Sequence, residues 1–212
     1  MTERAVSEAA ATFDAVGAEY ERAFGHLPEL RAAVAWLTGR LPAGARVLDV
    51  GSGTGRPVAE ALVRAGHEVT GIDVSAVMVE LARARVLGAR FQRQDVRDHD
   101  AEPGAYDAVC AFFPFLQMPR PDIDATLSRI AGWLAPGGHL VTSTVPADVE
   151  GLDIVWMGHP VRVTSYAADD FLLRLSRAGL EVVHHAVTSF VPVGVSAEPE
   201  DHLFCYARRP AA

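Results

Sequence analysis

The chain has 212 residues, half of them hydrophobic, and a formal net charge of −8. That length suits one α/β domain with a full core, and no apolar run is long enough to span a bilayer. Its 19 basic residues are all arginines and are scattered, so there is no basic stripe for a nucleic-acid backbone and a small-molecule partner is the default.

Residues 5–40 carry no strand signal and read as two helices. Phe13, Val16, Tyr20 and Phe24 form an apolar helical stripe over 9–24, at spacings of three or four. Gly25 and Pro28 break it, and a second helix runs from Leu30 to Leu41. The predicted division is an N-terminal helical lid over 1–42 and one compact Rossmann-like unit over 43–212. His26 reads as a solvated loop residue.

From Arg46 onward strand and helix alternate, the signature of a doubly wound, mostly parallel sheet. The buried strand Arg46–Val50 runs into Gly51-Ser52-Gly53-Thr54-Gly55, and a helix is predicted over 54–65. These glycines let backbone pass close to a ligand, and a helix start adds unpaired amides. The spacing is G-x-G-x-G, with Asp49 two residues before the first glycine, rather than the G-x-G-x-x-G of dinucleotide folds. A carboxylate in such a turn sits badly beside a pyrophosphate and well beside an ammonium group.

The second strand, His67–Asp73, ends in an acid, and Ser75 caps a helix running to about Leu87. Asp73 stands 18 residues after Gly55, where a carboxylate meets ribose hydroxyls and disfavours a 2′-phosphate. Val74 and Met78 are placed to line one face of an adenine ring, although Met78 reads as core too. A third strand over Arg90–Gln94 is followed by Asp95 and Val96. Arg97 to Asp100 reads as a solvated turn rather than a metal site.

The fourth strand, Tyr106–Ala111, leads into Phe112-Phe113-Pro114-Phe115, at the carboxyl end of the sheet where open α/β folds form their crevice. A helix over 122–134 and the Pro136-Gly137-Gly138 turn precede a fifth strand over 139–145. Residues 146–165 are irregular but too apolar for disorder, which predicts a loop folded over the crevice. A last helix over 168–178 is followed by strands over 180–188 and 202–208, joined by a Pro/Gly/Glu loop. Cys110 and Cys205 fall in strand-like runs and read as buried free thiols.

The run Asp49-Val-Gly-Ser-Gly-Thr-Gly55 resembles, position by position, the first motif of the class I S-adenosylmethionine-dependent methyltransferases. The resemblance continues in order from about Tyr20 to the C-terminus. It implies a seven-stranded sheet of order 3-2-1-4-5-7-6 with an antiparallel last strand. It also implies S-adenosyl-L-methionine as cofactor and S-adenosyl-L-homocysteine as product.

The cofactor residues it implies are Tyr20, Asp49, Gly51, Ser52, Gly53, Gly55, Asp73, Val74, Met78, Gln94, Asp95, Val96, Phe112 and Phe113. Asp95 would accept from the adenine amine, the Val96 amide would bond a ring nitrogen, and Phe112 and Phe113 would touch the methionine arm. Tyr20 reads equally as a lid aromatic or as core.

The acceptor pocket is expected from Tyr20, Phe113, Phe115, Trp156 and His159, with His159 the candidate base and Tyr166 a weaker one. The activity implied is in-line methyl transfer to oxygen, nitrogen, carbon or sulfur of a small molecule, dominated by positioning. Phe-Phe-Pro-Phe lacks the polar residue of the base-amine methylating relatives, which counts against DNA bases. The alternative is a non-enzymatic S-adenosylmethionine-binding regulatory or partner subunit. An NAD-dependent reductase is disfavoured, because a Tyr-x-x-x-Lys pair needs lysine. No metal, nucleic acid or membrane is expected as a partner. With no charged-then-apolar leader, a cytoplasmic monomer or homodimer is expected.

Overall fold

A computed structural model describes residues 8–193 and 199–211. Residues 1–7 of the expected lid and 194–198 of the expected hairpin-type loop lie outside the described residues. The lid segment holds α1 (Glu8–Val16), α2 (Ala18–Phe24) and α3 (Pro28–Thr38). The single helix expected over 9–24 is thus two, because Gly17 turns the chain at φ +49°. Pro28 does not break a helix here; it starts α3, at a position where the missing N–H costs nothing.

Seven strands build the main sheet: β1 (Arg46–Val50), β2 (Glu68–Asp73), β3 (Arg90–Arg93), β4 (Tyr106–Phe112), β5 (Leu134–Thr144), β8 (Glu181–Phe190) and β9 (Glu200–Arg208). Between them lie α4 (Val58–Arg64), α5 (Ala76–Arg85), α6 (Arg120–Trp133), the strands β6 (Leu152–Trp156) and β7 (His159–Val163), and α7 (Ala168–Arg177). The sheet order is β3-β2-β1-β4-β5-β9-β8. With β6 and β7 set aside this is the expected 3-2-1-4-5-7-6, and β9 runs antiparallel to both neighbours.

The first parallel strands alternate sides, as strand geometry requires. Val47, Ala108 and Cys110 pack toward α3, α4 and α5. Leu48, Val50, Val109 and Ala111 pack toward α6 and α7. Both faces are thereby covered, and Cys110 and Cys205 are buried free thiols.

Two expectations need correction. The helix after the glycine turn begins at Val58, not at 54, because 54–57 complete the turn itself. The stretch read as an irregular loop contains the two-stranded antiparallel hairpin β6–β7. Its two-residue turn, Met157-Gly158, has φ of +48° and +80°. That is the φ sign pattern of a type I′ hairpin turn, here with Met where Asn or Gly is usual.

Candidate functional site

The carboxyl ends of β1, β2, β3 and β4 open onto a cavity of about 1030 Å³. At its floor the glycine turn is braced by β2: the Gly51 and Ser52 amides both donate to Ile72 O, at 2.9 and 3.0 Å. The Gly53 amide donates to Asp73 Oδ2 at 2.9 Å and the Ser75 amide to Asp73 Oδ1 at 2.9 Å. Asp73 is therefore held with both oxygens aimed, each keeping a lone pair for a ligand. Burial raises its carboxyl above the ordinary range, against the lowering effect of those amides.

The glycines do different work. A Cβ at Gly51 would strike Pro114 Cβ at 2.9 Å, so the turn can approach the β4 loop only as glycine. A Cβ at Gly53 would meet nothing within 4 Å and would project into space that a ligand needs. Gly55 packs against Val86, Phe91 and Ala82 and does not line the cavity. Gly71, unremarked in the sequence, leaves room beneath the turn for Ser52 Cβ, 2.9 Å from where its own Cβ would be.

Asp49 and Ser52 line a side chamber of about 50 Å³ that shares Tyr20, Phe24, Gly51, Gly53, Phe112 and Phe113 with the main cavity. Asp49 Oδ2 and Ser52 Oγ are buried without a hydrogen-bond partner among the described residues. Burial, with the Asp73 charge second, pushes the Asp49 carboxyl up to about 8. A buried carboxylate lacking a donor is costly, and a cationic ligand group would supply one.

On the far side Val74, Met78, Gln94, Asp95 and Val96 line the cavity. Ser75 caps α5 as expected, its Oγ accepting from the Met78 amide at 3.0 Å. Asp95 is gripped by Arg97, whose Nη2 lies 2.6 Å from Oδ2 and whose Nη1 bonds Asp122 at 2.9 Å. His99 corrects the solvated-turn expectation: it is buried, with its ring nitrogens 3.1 Å from Gln94 Oε1 and 3.2 Å from Tyr106 Oη. Through Gln94 it braces the β3 loop from behind.

The roof is built by the lid and the hairpin. Trp156 lies 5.9 Å from Phe13, 6.1 Å from Tyr20 and 5.9 Å from Phe24, ring centre to ring centre. Glu21 ties α2 to the turn through Thr54 Oγ1, at 2.6 Å, and to α5 through Arg85. Asp14 ties α1 to α5 by accepting from Ser75 Oγ at 2.6 Å. The Tyr20 phenol is held protonated by burial and by the charges of Asp73 and Glu200.

Three acceptor expectations fail on placement. Phe115 is 2% exposed and lies in the core against α6 and α7, away from the cavity. His159 stands opposite Trp156 beside the hairpin turn, yet it does not line the cavity. Tyr166 is buried, with its hydroxyl donating to Asp124 at 3.0 Å. The sequence reading missed Glu200 and His202, which enter the cavity from the start of β9. Their only signal was the alternation that puts residues i and i+2 of a strand on one face.

A doubly wound sheet with an acid-flanked glycine turn and a strand-end acid sets a ligand-sized crevice at the topological switch point between β1 and β4. Residues 47–138 match the family described as a methyltransferase domain. The ubiquinone biosynthesis O-methyltransferase of Xanthomonas axonopodis pv. citri is 40% identical over 109 residues, 49% of this chain and 44% of that protein. The chain thus spans about half the length of the curated relatives it matches.

Two solved structures share the fold across nearly the whole chain. One is the 1,6-didemethyltoxoflavin-N1-methyltransferase of Burkholderia thailandensis, bound to 1,6-didemethyltoxoflavin and S-adenosylhomocysteine. It has a TM-score of 0.72 at 21% identity, over 95% of this chain and 87% of that one. The other is a complex between the Haloferax volcanii Trm112 methyltransferase activator and a methyltransferase, with a TM-score of 0.74 at 20% identity, over 97% and 99% of the two chains. The glycine-turn segment thus matches a methyltransferase domain, and the whole chain is similar in fold to S-adenosylmethionine-dependent methyltransferases.

The residues present fit that family's cofactor. Gly53 leaves the turn open, Asp49 Oδ2 lacks a donor that an ammonium would bring, and Asp73 offers two oriented oxygens.

Proposed function

We infer that this protein binds S-adenosylmethionine across the ends of β1, β2 and β3 and transfers its methyl group to a small, largely apolar acceptor. The observation that carries the reading is the buried Asp49 carboxyl, its Oδ2 without a partner among the described residues, beside an open glycine turn, with Asp73 pinned at the next strand end. When bound, the cofactor supplies an activated methyl group and a neutral leaving group, so the protein's share is placement and desolvation.

Each residue then has a defined task. Asp49 and Ser52 hold the amino end of the ligand, and Asp73 accepts from the ribose hydroxyls. Asp95, kept in one orientation by Arg97, accepts from the adenine amine, and Val74 and Met78 flank the ring. Phe13, Phe24, Phe113 and Trp156 exclude water from the reacting end. The cavity exceeds what an adenosylmethionine fills, and its remaining walls include Leu116, Met118, Leu152, Ile154, Val161 and Pro192. Such walls select an acceptor by its apolar body. The O-methyltransferase named among the relatives and the heteroaromatic ligand of the Burkholderia structure support an acceptor of this kind.

Incubation with methyl-labelled S-adenosylmethionine and a panel of flat apolar phenols and heterocycles is expected to move label into at least one. Transfer should be lost in Asp73→Ala. Label that stays on the cofactor with every acceptor, while S-adenosylhomocysteine still binds, would favour a binding subunit instead.

A further inference from the structure

Where β9 enters the cavity wall it brings a polar pair, Glu200 and His202. His202 is 1% exposed, and its Nε2 lies 3.3 Å from Glu200 Oε2. Among the described residues its Nδ1 has no hydrogen-bond partner. The two residues are i and i+2 on β9, so both project from one face, and both line the cavity. Phe113 meets the imidazole edge-on at 4.7 Å, and Phe190 lies 5.8 Å away. Phe113 is held at φ +59°, an uncommon conformation for a side chain of this size.

The chemistry of this pair is directional. A carboxylate at Nε2 takes the ring proton on that nitrogen, which leaves the lone pair on Nδ1. A buried acceptor without a donor, flanked by the rings of Phe113 and Phe190, is a request for an O–H or N–H from the ligand. An imidazole base is matched to a phenol-like or enol-like hydroxyl; an alkyl alcohol is too weak an acid.

We propose that His202, oriented by Glu200, is the catalytic base that receives the proton of an acidic hydroxyl on a flat apolar acceptor. The proposal rests on the methyl-transfer reading above. His202 Nδ1 takes the hydroxyl proton as that oxygen bonds the methyl carbon, and the carbon–sulfur electron pair departs with the neutral thioether. Glu200 balances the imidazolium until its proton passes to water. The groups around the ring include Glu200 on β9, Thr188 across the ladder on β8, and Phe113 after β4. From α2 come Tyr20, whose phenol feels the Glu200 charge, and the exposed His26 beyond Phe190.

The test uses 2-naphthol as the hydroxyl probe, S-adenosylhomocysteine to fill the other half of the cavity, and S-adenosylmethionine for turnover. Wild-type protein loaded with S-adenosylhomocysteine is expected to bind 2-naphthol and shift its absorption toward the naphtholate. His202→Gln should abolish that shift and lower turnover of 2-naphthol by about 10²-fold or more, with S-adenosylhomocysteine affinity unchanged. Glu200→Gln, at a more exposed position, should lower turnover of 2-naphthol and weaken the naphtholate shift, again with S-adenosylhomocysteine affinity unchanged. If His202→Gln does not fold, Glu200→Gln decides alone.

A wild-type protein that binds S-adenosylhomocysteine but neither binds nor ionises 2-naphthol overturns the proposal. So do wild-type turnover and a wild-type naphtholate shift in Glu200→Gln. Failure to bind S-adenosylhomocysteine at all would instead overturn the methyl-transfer reading.

Discussion

At the scale of single residues, Asp49 carries the sharpest consequence. Its folded value of about 8 lies above the 3.8 of an ordinary carboxyl, so the folded chain without ligand keeps a proton that the unfolded chain releases. The resulting stabilisation is whole below about pH 4 and is lost as pH rises through about 8. A ligand ammonium reverses the preference, so binding of S-adenosylhomocysteine at pH 7 should expel up to about one proton. Calorimetry in two buffers of different ionisation enthalpy reads this directly. Asp49→Asn should bind without proton release and about 10- to 100-fold more weakly, the worth of a hydrogen bond to a charged group. Its ligand-free melting temperature should also fall less than the wild type's between pH 6 and pH 8.5. Asp49, Asp73 and Asp95 were legible in the sequence because each sits where a strand ends, a position that local pattern reveals. His202 and Glu200 were not. Nothing local distinguishes them from other strand residues, and only the return of β9 beside β5 brings them to the cavity.

At the scale of elements, the roof depends on two pieces that do not adjoin in sequence. Trp156, at the end of β6, meets Phe13, Tyr20 and Phe24 of α1 and α2. The hairpin escaped sequence reading because its turn is Met157-Gly158 instead of an Asn-Gly or Asp-Gly pair. His159 was misjudged for the same reason: on a folded-over loop it could face the crevice, whereas the hairpin register sets it at the turn. Aromatic contacts contribute about 0.5–1.5 kcal/mol each beyond area burial, so Trp156→Ala should cost about 2 kcal/mol of stability. The accompanying sign is faster amide exchange across residues 8–24, since the aromatic contacts that supplement the anchors Asp14 and Glu21 are then lost. Exchange unchanged over those residues would show that the hairpin does not hold the lid.

At the scale of the whole molecule, the sheet order does most of the positioning. Crossing from β1 to β4 opens the crevice at the switch point, and the loops after β1, β2, β3 and β4 converge there. Strand–helix alternation made this architecture readable from sequence, since each parallel strand is a short apolar run and each crossover a helix. The boundaries shifted where backbone geometry overrode pattern, as at Gly17 and at the start of α4. Among the described residues no helix is long and apolar enough to cross a membrane. The central claim is that the crevice recognises an adenosyl amino acid rather than a dinucleotide. The most direct measurement is calorimetric titration with S-adenosylhomocysteine, with NADH as the control and Asp73→Ala as the variant. Tight binding of S-adenosylhomocysteine that Asp73→Ala abolishes, with no heat from NADH, is expected. Binding of NADH with none of S-adenosylhomocysteine would contradict that claim.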